Sequence, residues 1–305
     1  MNGPRSGVFT VEVPAMNNSP LNLHAAQAAL AELRSRGESP KSLALKRRQR
    51  VCNFVREFRF APARHIDMAG CEPGFLDRGT RVKYGLATQL EQEGLLQGFD
   101  GGGRFGKLFS LTPKGQDFCF DPGVFRAFDP AKIGDKSVDH VLAVQRFTLE
   151  AWGHDFMSGF SVERGHGATR KGSKRHDAIF YCPNDEEWAV EVERNRKKNR
   201  EFDLFMEACV DHKRNGYNAI VVAFESKSLQ NYYKKQFLES AASVRSWSQD
   251  VYGDWNWERR GIDPKLWLGV YFTTVDDAWG SFFRPVVPAG FEEVPMPDGL
   301  GSEFW

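Results

Sequence analysis

His176 and Asp177 stand just before one apolar run, AIFY, and Glu191 and Glu193 stand at the end of a second, EEWAVEVE. Successive side chains of a strand point to opposite faces, so Trp188, Val190 and Val192 share one face and Glu191 and Glu193 the other. If the runs pair as a hairpin through Pro183, Asn184 and Asp185, Asp177 comes to the same place. Three carboxylates at one spot repel one another unless a cation lies between them, and hard oxygen donors suit Mg²⁺ or Mn²⁺. Such an ion polarises a phosphate and activates water near neutral pH, which is what phosphodiester cleavage requires. The basic run Arg194 to Arg200 follows, placing Lys197 about one helical turn past Glu193, where an ammonium can offset charge developing on phosphate. The bland alternative is an acidic, solvated hairpin face followed by a basic helix start.

The elements that would position these residues alternate in an α/β order. VDHVLAVQRFTLEAWGHDF reads as an amphipathic helix ahead of the hairpin, and REFDLFMEACVDHKRNG as a helix closed by Gly216. YNAIVVAFES is a buried-type strand, SLQNYYKKQFLESAASVRSW a helix and KLWLGVYFTT another strand. Upstream, SLALKRRQRVCNFVREF predicts a helix with Leu43, Leu45, Val51, Phe54 and Val55 as its apolar stripe, and ARHIDMAG a short second helix. TRVKYGLATQLEQEGLL predicts a third, capped by Thr80, with Leu86, Leu90 and Leu95 facing the core. QGFDGGGRFGKLFSLTPKGQDF then gives two extended runs around a glycine-rich turn, with Thr112 and Pro113 opening another helix.

Three helices and a hairpin with a basic tip make a winged helix, and EGLL, the glycine-rich turn and FSLTPKG resemble that family's helix end, wing and closing signature over residues 41–125. There the third helix enters the major groove and the wing touches backbone. The resemblance implies Arg78, Arg81, Lys83 and Tyr84 for the groove and Arg104 and Lys107 for phosphate. Asp177, then Glu191-x-Glu193, behind an amphipathic helix resembles the PD-(D/E)xK nuclease pattern, with Glu193 where the usual lysine stands and Lys197 in its stead. An acid followed by E-x-E, behind a winged helix, is similar to the MOBC class of plasmid relaxases, the replication-relaxation family, over residues 41–275. That resemblance implies Asp177, Glu191 and Glu193 as metal-binding acids, His176 as an orienting group and Glu150 as a weaker further acid. His140 reads as a surface or packing histidine.

The expected architecture is therefore an arm with a helix over 1–40, a winged helix-turn-helix domain over 41–128, a linker, a restriction-endonuclease-like (PD-(D/E)xK) α/β domain over 135–285 and a tail over 286–305. The implied activity is relaxase nicking of one strand of double-stranded DNA at a plasmid origin of transfer, alongside other mobilization or coupling proteins. A non-catalytic regulator or replication initiator and a double-strand-cutting endonuclease are the alternatives. The seven histidines form no His-apolar-His pair, which argues against the histidine-clustered relaxase class; Tyr181, Tyr232 and Tyr233 are candidate covalent nucleophiles that nothing in their spacing activates, so metal-activated cleavage is favoured and the nucleophile stays open. No phosphate-binding GxxxxGK[ST] loop is present, so ATP-driven unwinding would need a partner. Five scattered cysteines without a C-x-x-C pair argue for reduced thiols, and with no signal or membrane segment the expected location is cytoplasmic. A net charge of +1 conceals basic clusters at Lys46 to Arg50, Arg170 to Arg175 and Arg194 to Arg200.

Overall fold

The computed structural model describes residues 37, 39–76, 78–119, 128–132, 135–154, 156–162, 176–182, 185–214, 216–240, 243–261, 267 and 269–275. The arm over 1–36, the cluster Arg170 to Arg175, the turn residues Pro183 and Asn184 and the tail over 286–305 lie outside them. Contacts divide the chain into residues 1–46 and residues 47–305.

Helix α1 spans Pro40–Phe58 and buries Val51, Phe54 and Val55 as their spacing predicts, together with Cys52 and Phe58. Leu45, expected in that stripe, is exposed. Strand β1, Phe60–Pro62, and helix α2, Ala63–Ala69, follow. Helix α3, Leu86–Gln92, begins about one and a half turns later than expected. The reason is a cap that lies far away in sequence. Gly85 turns the chain at φ 96°, a conformation side chains resist, and the buried carboxylate of Asp67 on α2 receives the N–H groups of Leu86 at 2.9 Å and Gly85 at 3.3 Å. Thr80 is therefore not the cap. Asp67→Ala should cost about 2 kcal/mol, a lost cap plus buried unpaired donors, and Asp67→Asn less. Urea denaturation checks this, and an alanine variant as stable as the parent would remove Asp67 from that role.

Strands β2, Leu96–Asp100, and β3, Lys107–Leu111, form an antiparallel hairpin to which β1 adds, giving a three-stranded sheet of order β1-β3-β2. Helix α4, Pro113–Gln116, is capped by Thr112, whose hydroxyl accepts the Gly115 N–H at 3.0 Å. A Cβ on Gly115 would lie 2.1 Å from the Leu95 carbonyl oxygen, so the LTPKG run needs its glycine for close approach.

Helix α5, Asp135–Gly153, starts inside the stretch read as a linker. It is bonded to the preceding elements along its length. Gln145, wholly buried, donates to the Phe60 carbonyl at 2.6 Å and accepts from His65 Nδ1 at 2.8 Å. Burial holds the His65 imidazole down to about 4, so it is neutral there at physiological pH. Trp152 Nε1 donates to the Cys71 carbonyl at 3.1 Å, and the N–H groups of Gly74 and Leu76 reach the carbonyls of Trp152 and Gly153 at 2.9 and 2.8 Å. One apolar cluster accordingly runs from Val51, Phe54 and Leu90 through Val144 and Phe147 to Phe180 and Val190.

The remaining elements are β4 (Gly159–Ser161), β5 (Ala178–Tyr181), β6 (Glu187–Glu193), α6 (Arg200–Arg214), β7 (Ala219–Phe224), α7 (Lys227–Ser240), β8 (Ser243–Gln249), β9 (Trp255–Gly261) and β10 (Val270–Thr274). A five-stranded sheet has the order β10-β7-β6-β5-β4; β4, β5 and β6 are antiparallel neighbours, and β7 pairs parallel with both β6 and β10. The molecule is thus a mixed α/β protein. β7, AIVVAF, is apolar throughout because both its faces are covered. Trp188, Val190 and Val192 join the cluster on the α5 side, whereas Ala189, Ile220, Val222 and Phe224 join a second one with Phe205 of α6 and Tyr233 and Phe237 of α7. The helix expected over 228–247 stops at Ser240; SVRSWSQ is instead β8, paired with β9 in a separate ribbon that the sequence reading missed. All five cysteines are free thiols, and among the described residues no helix is long and apolar enough to cross a membrane.

Candidate acidic site

β6 alternates as the sequence predicts, and Glu191 and Glu193 follow Ala189 onto the face covered by α6 and α7. Both are nearly wholly buried, Glu191 at 2% exposure and Glu193 at 6%, opposite Val222 and Phe224 in the parallel register. Charge in such a place is costly unless compensated. Lys197 supplies compensation to Glu193 through a short Nζ to Oε1 contact. It does so from the loop ahead of α6, not from a continuing helix as expected. That loop is pinned by two tyrosines of α7: Tyr233 Oη accepts the Lys197 N–H at 3.1 Å and donates to the Asn195 carbonyl at 3.0 Å, and Tyr232 Oη donates to the Lys197 carbonyl at 3.0 Å.

Asp177 lies at the open end of β5. Its N–H donates to the Val190 carbonyl at 2.8 Å and its Oδ2 accepts the Val192 N–H at 2.7 Å, so the carboxylate is held on the β6 backbone between the two glutamates. Its Oδ1 meets His140 Nε2 at 2.9 Å. This hydrogen bond raises the His140 pKa above the ordinary histidine value, and the charges of Asp177 and Glu193 act in the same direction against burial. His140, which sequence reading set aside, is therefore part of the site. The available signal was its place in the stripe His140, Val144, Phe147 on the sheet-facing side of α5. His176 is buried and turns to Tyr217, with Nε2 to Oη at 3.3 Å and the rings edge to face. Glu150 sits ten residues past His140 on α5, about 15 Å along the helix axis.

Asp177, Glu191 and Glu193 are all oxygen donors, the ligand type that suits a hard divalent cation. Among the described residues, however, no three His, Cys, Asp or Glu side chains are grouped so as to hold a metal ion: Glu191 and Glu193 lie on the face covered by α6 and α7, whereas Asp177 is turned to His140 of α5. Tyr233 does not suit covalent attack: its ring is wholly buried, its hydroxyl is engaged on the backbone, and burial pushes its phenol far up. Tyr181 Oη meets Ser161 Oγ at 3.0 Å.

The basic residues assigned to groove and wing are spread more widely than expected. Arg81, Lys83 and Tyr84 stand exposed in the irregular segment ahead of α3, not on the helix. Arg78 folds onto the Pro73 carbonyl, with Glu72 at 4.0 Å. Lys107 pairs with Glu91 at 2.7 Å, which holds the Glu91 carboxyl below its usual range. Arg104, at the hairpin tip, pairs closely with Asp139 of α5, which also faces Arg194 at 3.6 Å; Arg194 in turn reaches Glu225 at 3.1 Å. The hairpin tip and the loop after β6 thus share one carboxylate, next in sequence to His140. In the first basic cluster Arg48 forms a two-pronged pair with Glu93, both contacts at 2.7 Å, and Arg50 donates to the Gly70 carbonyl at 3.0 Å.

No protein-family model, no curated protein and no solved structure matches the chain.

Proposed function

We propose that the chain binds double-stranded DNA through residues 41–128 and cuts one strand at Asp177, Glu191 and Glu193, the work of a mobilization relaxase at an origin of transfer. The observation that carries the reading is the pair of buried glutamates on one face of β6 with Asp177 fixed between them on the backbone. A bare acidic surface would not bury them. Support for the DNA-binding half comes from the order helix, strand, helix, helix, hairpin with β1 added to β3, which is the order a winged helix uses. The helix, three antiparallel strands, helix and parallel strand from α5 to β7 agree with a PD-(D/E)xK arrangement.

Mg²⁺ or Mn²⁺ held by the three acids would supply Lewis-acid polarisation of the scissile phosphate. The protein's own groups do the rest. His140 orients Asp177, the tyrosine-pinned loop aims Lys197 at the acids, and its ammonium offsets charge on the phosphate as the bond breaks. The exposed pairs Arg104–Asp139 and Lys107–Glu91 are each worth about 1 kcal/mol or less, so phosphates can displace them. One observation favours a second reading, a DNA-binding regulator with the hairpin as scaffold: Asp177 and Glu193 already have partners.

Supercoiled plasmid carrying an origin of transfer separates the readings. With Mn²⁺ the protein should yield open circles and with EDTA none. Linear product would indicate double-strand cutting, and unchanged supercoils together with tight duplex binding would establish the regulator.

A further inference from the structure

The ribbon β8–β9 takes no part in the acidic site and packs against α6, the helix that follows the Lys197 loop. Its register sets Trp247 opposite Trp257 and Arg245 opposite Arg259, so Trp255, Trp257 and Arg259 share a face with Arg245 and Trp247. That face is anchored on α6: Arg245 Nε and Trp247 Nε1 reach Asp203 at 3.2 and 3.0 Å. The Arg200 guanidinium lies over the Trp255 ring at 4.3 Å and that of Arg245 over Trp257 at 5.7 Å. Even so Trp255 is 44% and Trp257 52% exposed, two open indoles two residues apart. Arg200 is three residues past Lys197, whose ammonium rests on Glu193. A row of guanidinium groups and indoles therefore runs from Arg200, at the start of α6, along the ribbon.

We propose that this ribbon face is a stacking platform for the bases of single-stranded DNA, leading the strand toward Glu193 and Lys197. Indoles stack on any base and guanidinium groups take the backbone phosphates, the combination that holds unpaired strands without regard to sequence. Charge complementarity selects this occupant. Arg200, Arg245 and Arg259 line the face, with Arg245 also paired to the buried Asp203, whereas Glu258 alternates onto the opposite face and Asp250 is folded into the turn, accepting the N–H groups of Tyr252 and Asp254 at 2.9 and 3.0 Å. The inference extends the strand-cutting reading, but its test needs no cleavage.

Anisotropy of a fluorescein-labelled oligothymidylate, titrated with the full chain in EDTA, reads the platform directly. Trp255→Ala/Trp257→Ala should weaken binding at least about tenfold, and Trp255→Phe/Trp257→Phe should restore most of it, because a phenyl ring still stacks. Affinity for a duplex of equal length should stay within about twofold. Three results would overturn the proposal: oligothymidylate affinity unchanged in the double alanine variant, duplex affinity falling in parallel, or a parental dimer that the substitutions convert to monomer in sedimentation. The last would mean that a second copy covers the ribbon. Failure of the cleavage reading shows elsewhere, as supercoiled plasmid left intact by a protein that still binds oligothymidylate through its tryptophans.

Discussion

Glu191→Gln and Glu193→Ala should each reduce plasmid nicking at least about a thousandfold while duplex affinity stays within about twofold. Stabilising the charge on a phosphate under attack is worth several kcal/mol, and each 1.36 kcal/mol lost is a factor of ten in rate. Glutamine keeps the volume of the buried Glu191 side chain, so a loss of activity there reports the missing charge and not a cavity. Glu193→Ala also frees Lys197 from its partner, and urea denaturation of the variant reads the stability cost of the unpaired ammonium apart from the loss of nicking. Arg81, Lys83 and Tyr84, proposed to hold the duplex, lie on a different segment and keep their surroundings. Nicking that survives both substitutions would end the assignment of the acids, and duplex binding lost in step with nicking would end the division of labour.

Phe147→Ala should cost about 3 to 5 kcal/mol, enough to bring most domains close to unfolding. Phe147 is wholly buried in the cluster that joins the first helices to the five-stranded sheet, and its ring stacks on Phe180 at 5.8 Å. Since no apolar boundary separates the halves there, both should melt together. In urea the parent and the variant should each show one transition, with the midpoint lower in the variant and the slope unchanged. Two transitions in the parent, only one of them moved by the substitution, would show that the cluster does not couple the halves.

Much of this was legible because one periodicity decided it. The period-2 alternation of EWAVEVE required Glu191 and Glu193 to share a face before any partner was known, and LTPKG announced a capped helix start. What was illegible depended on partners distant in sequence. The start of α3 was missed because its cap, Asp67, belongs to another helix, and Thr80 satisfied the local rule equally well. Lys197 was placed near the acids for the wrong reason: spacing suggested a helical turn, and the structure uses a loop tied down by Tyr232 and Tyr233. Ala-rich SAASVRSW continued a helical pattern locally, and only pairing with WNWERRG makes its second half a strand. No spacing rule connects His140 with Asp177.

The bonds between α5 and the elements before it also bear on how such a protein changes over generations. A DNA-reading module tied to its neighbour by a linker can be swapped for another by recombination, and the recipient folds as before. Here the carbonyl of Phe60, the ring of His65 and the carbonyl of Cys71 are satisfied by Gln145 and Trp152, so a graft cut anywhere near residue 128 would strand buried donors on both sides. On the proposed reading, a lineage carrying this arrangement acquires new target sequences by substitution within the exposed segment 80–84, because it cannot borrow a reader whole.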